Sequence, residues 1–169
     1  MGDPAEVELT LDGIRHVAAF AAACARRALP IFEMARPHDS RPGSAINGAE
    51  AFAETGHRTA ELRRLAWGAH KAAREVTESA ATDAALAAMN AAGAAFLHPL
   101  YSPHQVKHIL GSAVHLVLTD SEAVAGQLEW ILNNSGPEVR AILRRFPRPA
   151  AGRTKFGILL VQLDTELRR

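Results

Sequence analysis

Cysteine is nearly missing from this chain. Cys24 is its sole thiol, so no disulfide can form within it. Aromatic residues are scarce too, at 5%, which leaves small aliphatic side chains to fill an interior. There is no excess of one charge: 19 basic and 18 acidic residues give a formal net charge of +1. That balance carries no nucleic-acid footprint and no preference for an anionic membrane surface. No apolar run approaches the ~20 residues a membrane span needs. The opening MGDPAEVELTLDG is acidic and lacks the apolar core of a signal peptide, and Glu6 breaks the myristoylation pattern that Gly2 would begin. The expectation is a soluble, cytoplasmic protein. Gly-rich phosphate loops, nucleophile elbows and Walker patterns are also missing.

What the chain has is alanine. Its 169 residues suffice for one domain with a full core, and 48% of them are apolar. Alanine is the best helix former and lets helices approach closely. The composition therefore predicts an all-α fold: a compact bundle of about six to eight mostly antiparallel helices with short loops, forming one domain over residues 1–169. A first helix starts near Thr10 or Asp12 and keeps helical spacing through Ile14, Val17, Ala21, Ala25 and Ala28. Pro30 is expected to kink or stop it, with IFEMA as a further turn up to Pro37. Ser44 is the expected cap of a second helix, which Gly56 ends. Thr59 caps a third, a fourth covers about Thr82 to Leu97, and Pro99 closes it. Ser102, Pro103 and Gln105 form a good start for a fifth, which reaches about Leu118. Ser121 opens a sixth and Pro137 a seventh. The linker PRPAAGR then leads to a tail whose residues 156–165 suit a strand or a helix. Helix is favoured, because Phe156, Leu160, Leu163 and Leu167 make a seam and no other strand exists to pair with it. Such a terminal helix docks on its own domain or on a second copy, which allows a homodimer through the tail.

Three constellations carry chemistry. First, RPHDSRPG places two prolines, two arginines, a histidine and an aspartate between apolar helices. Asp39 can turn its carboxylate back to backbone amides, and Gly43 permits an unusual backbone angle. Arg41 then either pairs with Asp39 or Glu33 and pins the connection, or presents a preordered charge to a partner. Second, His104 and His108 are spaced i, i+4 on the fifth helix, with His115 on the same face. Two such imidazoles can chelate a divalent metal, with His70 as a further candidate ligand. Gln105 stands where a metalloprotease base would be, so that class is excluded. The alternative is that His104 is a polar first-turn residue and His108 packs between helices. Third, Trp67, His70 and Arg74 share one face of the third helix. Trp67 is expected in the core, and Arg74 is placed to reach the RPHDSRPG loop. Cys24, mid-helix among alanines, is expected to be buried and inert.

The pieces CARRALPIFE, DSRPGSAI, GAHKAAR, HQVKHILGSA and LEWILNNSGPEVRAIL resemble, in order and spacing, the immunity-five-like family of bacterial proteins associated with polymorphic toxin systems. The resemblance spans roughly residues 20–143 and leaves about 147–169 as a C-terminal extension. It implies a small helical antidote that binds and neutralises a cognate protein toxin without catalysis. It also implies that the recurrent polar residues fall at Asp39, Arg41, His70, Arg74, His104 and His108. The leading expectation is thus a toxin-binding protein with no cofactor, no nucleic acid and no membrane partner. The rival is a metal-binding enzyme or regulator using His104, His108 and His70.

Overall fold

Thr10 opens the first helix: its hydroxyl accepts the Gly13 N–H at 3.0 Å. The structure, a computed structural model, describes residues 5–169. Eight α-helices follow among these residues: α1 (Leu11–Ala35), α2 (Arg41–Thr55), α3 (Ala60–Glu75), α4 (Ser79–Gly93), α5 (Val106–Leu118), α6 (Val124–Asn134), α7 (Gly136–Arg145) and α8 (Lys155–Leu167). Single 3-10 turns cover Ala94–Phe96 and Pro103–Gln105. The only extended pairing among the described residues is an isolated bridge between Glu6 and Leu100. The expected all-α bundle is what forms.

Pro30 does not stop α1, which runs on to Ala35. The proline is exposed while Leu29 and Phe32 on either side are buried. The carbonyl it leaves unbonded therefore meets water, and the packing of its neighbours outweighs the lost hydrogen bond. The start of α2 also differs from expectation. Ser44 lies inside the helix, which begins at Arg41 with Pro42 in its first turn. Asp39 explains the shift, since one carboxylate oxygen accepts the Arg41 N–H at 3.1 Å and so satisfies a helix-start donor earlier than Ser44 could. Gly43 is then ordinary helix, and the two left-handed glycines among the described residues are Gly56 and Gly136. Gly56 ends α2 at φ 71°, as a C-terminal glycine does.

The first five helices run antiparallel in succession, and arginines lace their ends. Arg15 at the start of α1 donates to Ala53 O and Glu54 O at the end of α2, at 2.8 and 2.6 Å. Arg36 at the end of α1 donates to Glu75 O at the end of α3, at 2.7 Å. Arg58, before α3, donates to Ala95 O, after α4, at 2.7 Å. The bundle thus has a loop end, holding residues 36–41 and 75–79, and a histidine end, holding residues 95–108. α4 is the central helix and packs against α1, α2, α3 and α5. It can do so because seven of its fifteen residues are buried alanines.

The tail is helical, as favoured. Leu160, Leu163 and Leu167 are buried against the chain's own α5, α6 and α7, so this seam is used within the domain. Asp164 is buried beneath it and accepts from Arg168 Nε at 2.7 Å, while Arg168 Nη1 reaches Phe146 O at 2.9 Å. No helix among the described residues is long and apolar enough to cross a membrane.

Candidate functional site

At the loop end, the turn between α1 and α2 meets the last turn of α3. Arg41 is the hub. Its Nε and Nη2 donate to the two Asp39 oxygens at 2.9 and 2.7 Å, a forked pair within the turn. The same Nη2 reaches Glu75 Oε2 on α3 at 2.5 Å. The stem of Arg41 lies beside Gly68, 3.9 Å from where a Cβ would stand, so α2 starts close against α3. Arg36 adds a second tie, because its guanidinium caps the Glu75 carbonyl at the C-terminal end of α3, where the helix dipole favours a cation. Together Arg36, His38, Asp39, Ser40, Arg41 and Glu75 line an open hollow of about 480 Å³.

The electrostatics follow from these contacts. The Arg41 hydrogen bonds hold the Asp39 carboxyl below its ordinary value, and Arg41 lowers Glu75 likewise. The two carboxylates in turn push the guanidinium further up. Every group in the cluster is therefore ionised and paired at neutral pH. The side chains nonetheless reach water, with Arg41 36% and Glu75 56% exposed. Pinning of the connection by Arg41 and Asp39 is what the geometry shows, with Glu75 as third member rather than Glu33.

Two large apolar side chains stand exposed on α1 and α3, Met34 next to the loop end and Trp67 about two turns before Glu75. Trp67 on α3 is 66% exposed, and Met34 on the last turn of α1 is 85% exposed. The core position expected for Trp67 is a miss. Leu62, Ala69, Ala72 and Ala73 form the inward face of α3, and alanines packed against α4 leave no room for an indole. Trp67 instead meets His70 edge-on, ring centroids 5.7 Å apart. Arg74 is exposed and makes no hydrogen bond or ion pair among the described residues, so the reach expected of it falls to Arg36 and Glu75.

The histidines sit elsewhere. His104 belongs to the 3-10 turn before α5, where Ser102 Oγ accepts its N–H at 3.2 Å. It is therefore not one α-helical turn from His108 on a common helix. Gln105 does not complete a capping box either, since its side chain turns inward and accepts the His98 N–H at 3.1 Å. His108 is half-buried. Desolvation, with His104 and His98 close by, lowers its pKa. His115 does not share that cluster: its Nδ1 lies 2.7 Å from Asp83 Oδ1, under the Phe156 ring of α8. His70 stands beside Trp67 on α3, across α4 from α5. Among the described residues, no three His, Cys, Asp or Glu side chains converge as a metal site would require. Of the sequence candidates, then, Asp39 and Arg41 come together, His70 and Arg74 point away from the Gly68–Ala72–Glu75 side of α3 that meets Arg41, and His104 and His108 occupy the opposite end. Sequence reasoning missed Glu75, to which no local pattern points, and gave no partner to Arg36 of the RPHDSRPG motif. It also missed the Asp83–His115 pair.

Cys24 is fully buried, and burial pushes its thiol far up, away from the reactive thiolate.

No curated protein and no solved structure matches the chain. Residues 9–118, which hold α1 to α5 and with them the Asp39–Arg41–Glu75 cluster, match the model of the Imm-5 like putative immunity protein family, and the chain belongs to that family.

Proposed function

We propose that this chain binds a cognate bacterial protein toxin and neutralises it by occlusion, without catalysis, and that the loop end is its binding face. The observation that carries this reading is the Arg41 hub. One guanidinium is shared by Asp39 and Glu75 at hydrogen-bond distance while remaining in contact with water. Groups held ionised and mutually paired serve poorly as proton donors or acceptors near neutral pH. They serve well as a rigid polar surface, because little side-chain entropy is left to lose on binding. Arg, Trp and Met are also the residue types enriched at the centre of protein interfaces.

The test is growth. If a toxin gene adjoins the gene for this chain, cells producing that toxin are expected to survive when the chain is co-produced and to die when it is not. Equal killing in both cases contradicts the reading. The metal-enzyme alternative, with His104, His108 and His70 as ligands, is not favoured by the placement of His70 across α4 from the other two. Metal analysis of tag-free protein is expected to find no stoichiometric zinc, iron or nickel. A bound ion lost in His104→Ala/His108→Ala revives the alternative.

A further inference from the structure

The exposed face of α3 holds something the Arg41 hub does not supply. From Trp67 to Glu75 it carries two cations, Lys71 and Arg74, that make no ion pair within 4 Å among the described residues, whereas the one anion, Glu75, shares Arg41 with Asp39 and also feels Lys71. Trp67, Lys71 and Arg74 are spaced i, i+4, i+7 and therefore form one stripe of the helix. The indole at its head is 66% exposed and meets His70 edge-on, ring centroids 5.7 Å apart. An exposed tryptophan beside two cations that lack a direct ion pair is an incomplete pairing. It lacks an apolar recess for the ring and carboxylates for the cations.

We infer that Trp67 is the anchor of the binding face, flanked by Lys71 and Arg74, and that its occupant is an acidic protein surface with an apolar pocket deep enough to take an indole. This rests on the reading that the chain binds a protein toxin, and it adds the chemistry of the surface the toxin must present. Charge complementarity selects that occupant. The stripe is cationic although the whole chain is near neutral, so the local field rather than net charge steers the encounter. Buried tryptophans at the centre of an interface carry a disproportionate share of affinity. Lys71 and Arg74, at the rim, act chiefly on the association rate.

The experiment measures affinity and association rate for a purified toxin whose killing the chain suppresses in the growth test, using wild type, Trp67→Ala, Lys71→Glu/Arg74→Glu and a control, Arg153→Glu. Trp67 and both cations are exposed, so the folded state survives each change, which circular dichroism checks. Trp67→Ala is expected to weaken binding by at least about 30-fold. The double reversal is expected to slow association by at least about 10-fold at low salt, with most of that difference lost at about 0.5 M salt. Arg153→Glu is expected to match wild type. If the toxin binds wild type, Trp67→Ala and the double reversal equally well, the inference fails and the toxin-binding function stands. If wild type fails to bind the toxin, both fall. If single-stranded RNA binds wild type and loses affinity in Trp67→Ala while toxin binding is unchanged, the stripe is a stacking platform for nucleic acid and the inference is overturned.

Discussion

Arg41 joins two segments far apart in sequence, and its removal has a signed consequence. Asp39, held below its ordinary carboxyl value by Arg41, returns to about 3.9 when the chain unfolds. The stability it contributes is complete above that value and is lost as the pH falls through the lower folded-state value. Arg41→Met is expected to lower stability by only about 1 kcal/mol, because the cluster faces water, and to flatten the acid limb of urea midpoints taken from about pH 3 to 7. An unchanged acid limb means the pair is not formed in solution. His108 acts in a higher window. Its lowered pKa means the folded chain prefers the neutral ring, so stability is complete above about 6.5 and declines as the pH drops through the folded value. His108→Gln is expected to remove that decline in midpoints compared at pH 7.5 and 5.5, about a pH unit from the ordinary value on either side. The Asp39–Arg41 pair was legible in the sequence because it is local. Glu75 was not, since it lies 34 positions from Arg41 and only the α2–α3 packing brings it near. Trp67 was misread because its apolar surface argues for the core, while the space beneath α3 is set by alanines on another helix.

Helix positions were read well where a cap or glycine marks them, as at Thr10 and Gly56, and less well where a side chain competes for the first amides. Asp39 started α2 ahead of Ser44 for that reason. The tail was ambiguous because an apolar run alone does not separate strand from helix; the docked seam of Leu160, Leu163 and Leu167 resolves it. Leu163 is fully buried in that seam, and Leu163→Ala is expected to cost about 3 kcal/mol in denaturant unfolding, as a cavity in a rigid contact does. A loss below about 0.5 kcal/mol means α8 is not part of the cooperative unit. At the end of α2, Gly56→Ala forces a left-handed residue at φ 71° and is expected to cost about 1 kcal/mol.

At the scale of the molecule, the two ends of the bundle have separate characters. The loop end gathers paired charges and Met34, and Trp67 stands on α3 about two turns from it. The histidine end gathers His98, His104 and His108 around the α5 start, where the N-terminal segment is also tied down by Val7 N to Pro99 O at 2.6 Å. The matched family segment stops at residue 118, so the LEWILNNSGPEVRAIL piece, which also resembled the family, lies beyond it in α6 and α7. The all-α class was legible from composition because an alanine-rich chain with helical spacing has few other ways to bury its surface. Which end meets a partner was not, because residues of both ends alternate along the chain and only the topology sorts them. Hydrogen exchange with and without a toxin that the chain is found to neutralise tests the account most directly. Binding at the loop end predicts slowed exchange in residues 36–41 and 67–75 with residues 98–108 unchanged. Slowing confined to residues 98–108 would contradict it.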